Sequence, residues 1–354
     1  MHLRGNLMLL MAAFIWGTTF VAQLVGMAGL GPFAFSFARY LLGLIFLVGL
    51  VFAFRGQRQA ARRAGTYRQG YVVGLGAGVI MLGASSFQQY AMLYTSAGKT
   101  AFITALYLVF VPLASALLGR KLHIENWVGA LLALVGLYLL SVQGEAGLGI
   151  GDLLVLICAF FWTAHILFVD RFAALVDPIE VSMTQVGVCM AGSLVLVLGF
   201  ENLEVRPMLD AWLPIFYSGV LSAGVAFTLQ IAGQKYTDPA EAAIFMSFES
   251  VFGALGGALL LGERMLLPQV VGCALMFTGM IVTQIRPFLL RKRSRSPQRG
   301  SIIKDTGECD APKQTLVKQA EKVHGTPWRT SFRSSAARLR SPPGVERTSA
   351  RPLA

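Results

Sequence analysis

One carboxylate stands apart from its surroundings. Glu249 lies between Ser247 and Ser250 in AEAAIFMSFESVFGALGGALLLGER (240–264), a stretch with about 22 apolar residues, enough to cross a hydrocarbon core of about 30 Å as a helix. At a rise of about 1.5 Å per residue it falls about 14 Å from the start of the run, near the midplane of a bilayer. A charge there costs about 2.5–3.5 kcal/mol even on the lenient insertion scale, so a partner, a wet cavity or a bound proton must offset it. The chemistry open to such a group is proton exchange or solute binding in a central cavity. The alternative is a structural carboxyl bonded to a Ser or Tyr on a neighbouring helix. Arg39 is the second group of this kind, about six residues into another apolar run. Its guanidinium keeps its charge and needs an anion: a substrate carboxylate or phosphate, or else helix-end carbonyls or the outer interface. Gln88, Gln89, Gln185 and Gln230 are set to hydrogen-bond a solute, or to join helices at about 0.6–2 kcal/mol each. Trp16, Tyr107 and Trp162 offer rings that stack on a ligand; as isolated aromatics they pack between helices or anchor at the interface.

These groups need helices to hold them. The chain has 354 residues, 55% of them hydrophobic and 14% charged, with a mean hydropathy of +0.63. That is the composition of an all-α polytopic membrane protein. Apolar runs fall at about 6–25, 33–54, 70–92, 100–119, 125–142, 152–169, 179–199, 211–233, 240–261 and 268–288, which predicts ten transmembrane helices with short links. The first run follows a single basic residue and could pass for a signal peptide; because the same pattern recurs inside the chain, it reads as a retained first helix. The link 55–69 carries Arg55, Arg58, Arg62, Arg63 and Arg68, and by the positive-inside rule it is cytoplasmic. That choice puts Arg4, Arg120, Lys121, Arg171 and Lys235 inside as well. Only Lys99, Arg206 and Arg264 fall outside, and both termini are cytoplasmic.

The chain also repeats itself. CAFFW (158–162) echoes AAFIW (12–16) at an offset of 146, and Pro178 echoes Pro32 at the same offset. YTDPAEAAIF (236–245) echoes YTSAGKTAFI (94–103) at 142; LLGERM (260–265) echoes LLGRKL (117–122) at 143; Gly272 and Gly279 echo Gly129 and Gly136, again at 143. The unit is five helices. An odd unit inserted twice makes two inverted repeats, related by a pseudo-two-fold axis in the membrane plane. The expected divisions are 1–143, 144–288 and a tail, 289–354. The repeat also pairs the polar candidates: Trp16 with Trp162 and Arg39 with Gln185 at 146, Gln89 with Gln230 at 141, Tyr107 with Glu249 at 142. Gly74 with Gly78, and Gly253 with Gly257, are small-xxx-small pairs that let helices approach. Pro112 is expected to kink its helix.

Residues 286–354 carry 16 of the 30 Lys+Arg and 5 of the 18 Asp+Glu, so the net charge of +12 belongs to the tail and not to the membrane body. Such a tail reads as disordered and cytoplasmic, near anionic headgroups. Cys158, Cys189, Cys273 and Cys309 have neither metal-site nor disulfide-framework spacing, and His165 has no second ligand at metal spacing. No HExxH, GxxxxGK[ST] or GxSxG motif is present, so no enzyme chemistry, cofactor or nucleotide-driven pumping is expected. The expected partners are a small-molecule substrate and the lipid bilayer. A homodimer is open, and nucleic acid is not expected.

Several stretches together carry a family resemblance: AAFIWGTTFVA (12–22), GPFAFSFARYLLG (31–43), QQYAMLYTSAGKTAFITALYLVFVPL (88–113), NWVGALLALVGLYLLS (126–141) and KYTDPAEAAIFMSFESVFGALGGALLLGER (235–264). Over about residues 5–286 the chain resembles the EamA-type permeases of the drug/metabolite transporter superfamily. The resemblance implies a ten-helix inverted-repeat carrier of the bacterial inner membrane that exports amino acids, metabolites or drugs through a central cavity. Two positions depart from the family pattern: Arg120 where a Glu often follows the glycine, and Ser250 where many relatives carry proline. On this reading Trp16, Arg39, Gln88, Gln89, Tyr107, Trp162, Gln185, Gln230 and Glu249 are the candidate substrate-binding residues, with Glu249 coupling a proton. A membrane sensor or assembly partner on the same scaffold, without transport, is the rival reading.

Overall fold

The computed structural model describes residues 2–63, 65, 70–95, 97–120, 122–141, 149–260, 267–268, 270–279 and 281–282. The expected tail from 289, and Arg68, Lys121, Glu263 and Arg264, lie outside the described residues. Every regular element among the described residues is helical. In chain order they are α1 (His2–Gly26), α2 (Pro32–Ala53), α3 (Arg55–Arg63), α4 (Tyr71–Ala91), α5 (Ala97–Thr104), α6 (Tyr107–Leu117), α7 (Ile124–Ser141), α8 (Ile150–Ala173), α9 (Pro178–Phe200), α10 (Val205–Asp210) and α11 (Trp212–Phe216). A π-helical segment (Tyr217–Ala226) follows, then α12 (Phe227–Gln234), α13 (Pro239–Ser247), α14 (Glu249–Leu260) and α15 (Val270–Gly279). Among the described residues, six stretches are long and apolar enough to cross a membrane: Leu3–Gly29, α2, α4, α8, α9 and the continuous run Trp212–Gln234.

Two of the runs read as single helices are each divided. The run 100–119 forms α5 and α6, and the run 240–261 forms α13 and α14. Neither division carries Gly or Pro. Leu106 (φ −60°, ψ −14°) and Phe248 (φ −60°, ψ −12°) each close a tight turn, donating to the carbonyls three residues back, Ile103 at 3.2 Å and Phe245 at 3.4 Å. These two residues are 142 apart, the repeat offset of this region. A short 3₁₀ turn inside a helix marks a functional hinge or a strained stretch. The Ser247 hydroxyl donates to the Ile244 carbonyl at 2.8 Å and replaces the backbone donor that the tightened turn removes. Pro112 lies inside α6, which runs through it; the interruption precedes it.

Helix ends are set by residues with a local reason. Pro32, Pro178 and Pro239 open α2, α9 and α13, where a fixed φ and a missing N–H cost nothing. Asp177 caps α9 by accepting the Ile179 N–H at 3.0 Å. The start of α2 is capped from elsewhere. The Glu201 carboxylate, at the end of α9, accepts the Phe33 and Ala34 N–H groups at 3.0 and 2.8 Å. At the other end of the same helix pair, Arg58 on α3 reaches Asp177 at 2.5 Å. The start of one helix therefore meets the end of the other, and α2 and α9 run antiparallel.

Glycines let the helices touch, and the contacts come in matched pairs. A Cβ on Gly136 would lie 2.4 Å from the Gly272 carbonyl oxygen, and one on Gly279 would lie 2.6 Å from that of Gly129. So α7 and α15 also run antiparallel. A Cβ on Gly78 would meet the Gln185 Cα at 2.9 Å and the Val188 Cβ at 2.7 Å. One on Gly219 would meet the Arg39 carbonyl oxygen at 2.6 Å and the Leu42 Cβ at 3.1 Å. These contacts of one half recur between the counterpart residues of the other. Apolar side chains fill the space between: Leu9, Tyr107, Val111, Ile166 and Met246 form one cluster, and Tyr40, Leu47, Met81, Val186 and Cys189 another.

The bundle has one basic end. It gathers the start of α1, the end of α2 with α3, the start of α4, the end of α8, the start of α9 and the end of α12. Arg58 there pairs with Asp177 and with Glu180 at 2.5 Å, Arg62 pairs with Glu180, and the Gly70 N–H donates to Glu180 at 3.1 Å. Arg120 pairs nearby with Asp170 at 2.7 Å.

Candidate functional site

A cavity lies among α1, α2, α4, the α5–α6 and α13–α14 junctions, α8, the π-helical segment and α12. On α1, Trp16, Phe20 and Gln23 line it because spacings of four and three residues put them on one face. Arg39 and Tyr40 come from α2, and Ser85 and Gln88 from α4. The π-helical segment widens the turn, as such segments do near functional sites, and brings Ser222 and Ala223 to the wall beside Phe227 and Gln230. The two tightened turns deliver Thr104 and Tyr107 from one half, and Met246 and Glu249 from the other.

Of the nine candidates, seven line this cavity: Trp16, Arg39, Gln88, Tyr107, Trp162, Gln230 and Glu249. Gln89 and Gln185 do not. Gln89 is fully buried and its amide points to the Met27 sulfur at 2.7 Å. It is one residue past Gln88, and one step along a helix turns a side chain by about 100°. Gln185 is fully buried against His165, Oε1 to Nε2 at 3.1 Å. Residues not singled out from the sequence also contribute: Phe20, Gln23, Tyr40, Ser85, Thr104, Ser222 and Phe227. The spacing of Gln23 from Trp16 on one helix face was the legible clue. Nothing comparable marked Ser222, whose position depends on the π-helical turn.

The charges in the cavity are held differently. Glu249 is 6% exposed and accepts a hydrogen bond from the Tyr107 hydroxyl at 3.0 Å. This bond joins the matched residues of the two halves. Arg39 is 5% exposed; it donates from Nη1 to Gln23 Oε1 at 3.1 Å and from Nη2 to the Tyr40 hydroxyl at 3.0 Å. Its Cζ lies 4.6 Å from the centre of the Tyr40 ring, a cation–π contact. Its Nε has no partner, and among the described residues no carboxylate pairs with it. Two neutral acceptors and a ring leave a buried guanidinium short of an anion. The Trp16 indole N–H and Gln230 Oε1 are also unpartnered. Gln88 donates to the Thr104 hydroxyl at 3.0 Å and ties α4 to the end of α5. Trp16 and Trp162 flank the Phe227 ring at centroid distances of 5.0 and 5.9 Å. The cavity is thus an aromatic-walled space with one cation, one carboxyl group and spare donors, suited to an organic solute that carries an anionic group.

Comparison with known proteins agrees with this architecture. The model of the EamA-like transporter family matches twice, over residues 3–142 and 149–285. An uncharacterized transporter of Archaeoglobus fulgidus is 29% identical over 287 residues, 80% of this chain and 87% of its own length. The uncharacterized transporter YoaV of Bacillus subtilis is 25% identical over 281 residues, 76% of this chain and 92% of its own. A crystal structure 22% identical in sequence shares the fold with a TM-score of 0.64, over 82% of this chain and 99% of that one. With the apolar helices described above, these matches make the protein a multi-pass membrane protein, and the chain belongs to the EamA-like transporter family.

Proposed function

We propose that the protein is a secondary transporter, an exporter, of a small organic metabolite, amino acid or drug, working by alternating access around the cavity that holds Arg39 and Glu249. In this reading ten crossings form two inverted five-helix repeats, residues 1–143 and 144–288, followed by a basic cytoplasmic tail from 289. The antiparallel course of α2 with α9 and of α7 with α15, and the paired glycine contacts, support the inversion. The membrane is the bacterial inner membrane with the basic end of the bundle in the cytoplasm, as the arginine bias favours. The observation that carries the reading is the meeting of both halves at one buried point: the Tyr107 hydroxyl on the Glu249 carboxyl, beside a cavity that also holds an anion-seeking Arg39. Two tightened turns at matched positions flank that point and are the natural places for the halves to flex.

A carboxyl group at this depth is suited to exchange a proton as the halves rock, and Arg39 to hold the anionic part of the solute. Uptake into inside-out vesicles tests both roles. Glu249→Gln loses transport driven by a proton gradient while membrane levels stay normal; a full-rate variant would make the carboxyl group structural. Arg39→Ala impairs anionic and zwitterionic solutes most. Equal loss for cationic solutes would remove Arg39 from recognition.

A further inference from the structure

The cavity reaches only part of the way along the bundle. Its wall extends towards the end away from the basic face through Phe20, Gln23, Arg39 and Gln88, and towards the basic face no further than Ile166 and Gln230. Around and beyond that limit the interior is closely packed, yet it is not apolar: His165, one residue before Ile166 on α8, and Gln185, bonded to it at 3.1 Å, stand at its edge, and Ser182 and Gln234 lie nearer the basic face. His165, Ser182, Gln185 and Gln234 occupy it on α8, α9 and α12, each at most 3% exposed. His165 Nδ1, Ser182 Oγ, Gln185 Nε2 and Gln234 Oε1 all lack a partner. Buried polar atoms are ordinarily satisfied, and a permanent seal built of apolar side chains would be more stable. A group of four on three touching helices therefore needs a reason.

The repeat supplies one. At the offset of 146, His165, Ser182 and Gln185 are the counterparts of Thr19, Ser36 and Arg39. Arg39 is part of the open wall, and Ser36 Oγ beside it is likewise unpartnered. When two inverted halves exchange roles, the counterparts of the open wall become the wall on the other side. Between these residues and the basic face stands the cluster of Arg58 and Arg62 with Asp177 and Glu180, and Glu180 is 1% exposed. It ties α3 to the first turn of α9, one turn before Ser182 and Gln185.

Resting on the transporter reading, we propose that His165, Ser182, Gln185 and Gln234 line the route by which solute passes between the cavity and the basic face, and that the Arg58–Asp177 and Arg62–Glu180 pairs latch it shut in this state. At the position of Arg39 this route has the uncharged Gln185, so a solute with an anionic group is held more weakly there.

Thiol accessibility tests this. Ser182→Cys and Gln185→Cys are introduced singly into the full-length chain, and a charged, membrane-impermeant methanethiosulfonate is applied to inside-out and right-side-out vesicles. Labelling is read as the excess over the parent chain. The expected result is labelling of both from the basic face only. Adding Glu180→Gln, or Arg58→Gln as an independent way to open the latch, speeds it at least about tenfold, since unpairing a buried ion pair moves a two-state equilibrium by more than a decade. Ser85→Cys in the cavity wall is labelled from the other side and slows with the same latch variants. If Ser85→Cys is labelled but Ser182→Cys and Gln185→Cys never are, in protein that still elutes as a single species, the route is wrong and the transporter reading stands. If none of the three is reached from either side under any condition and solute uptake is absent as well, both fall.

Discussion

The two halves of this chain share a scaffold and differ in chemistry. Several of their close contacts are matched: Gly78 against Gln185 and Val188 in one place, Gly219 against Arg39 and Leu42 in the other. Their polar groups are not. Arg39 faces an open cavity and its counterpart Gln185 is shut behind it. The Tyr107 hydroxyl of the first half donates a hydrogen bond to Glu249 of the second. The helix pair α2–α9 is fastened by a carboxylate on backbone N–H groups at one end and by arginine–carboxylate pairs at the other. The lesson is a division of labour. Backbone approach through glycine is repeated in both halves, while the side chains make the two halves unequal.

That comparison can be broken at several depths. The largest effect is expected from Gly136→Leu, because the new side chain would start 2.4 Å from a backbone oxygen that cannot move aside. We expect a loss of at least about 3 kcal/mol, near the upper end for overpacking, seen as loss of monodisperse protein in detergent. Gly279→Leu should match it if the two contacts are equivalent; a large difference between them would break the symmetry argument. Next, Gln185→Arg should destabilise by several kcal/mol, since it buries a charge with no anion among its described neighbours, whereas Arg39→Gln should be tolerated in thermal unfolding yet weaken anionic solutes about tenfold or more, for loss of charge-assisted bonds. Equal stability loss from both would mean that Arg39 is structural. Glu201→Ala should cost about 1–2 kcal/mol, the worth of a strong helix cap, without changing solute selectivity. The smallest effect belongs to Ser247→Ala, about 1 kcal/mol from the orphaned Ile244 carbonyl. If that variant instead changes transport rate strongly, the turn at Phe248 is a moving part.

Much of the cavity was legible. Residues that cannot cheaply sit in lipid, Arg39 and Glu249 above all, announced themselves by type and depth, and the repeat offset joined Tyr107 to Glu249 before any geometry did. Gln89 and Gln185 were chosen by the same filter and fall outside the lining. The offset identifies counterparts, and in a single conformation counterparts need not face the same space. The divided helices were not legible either. Nothing in ALYL (105–108) or SFES (247–250) forbids a continuous helix, so the tight turns at Leu106 and Phe248 arise from what packs against them.

By itself, then, the sequence determined the helical class, the membrane environment and the twofold duplication, because hydropathy and helical rise are local properties that any window of about twenty residues expresses. Tertiary structure alone decided which polar groups meet, where the helices tighten, and that among the described residues Arg39 is left without a carboxylate while Arg58 has two. Those outcomes depend on which faces of separate helices are pressed together, a long-range balance of glycine approach, side-chain volume and buried charge that no single segment encodes.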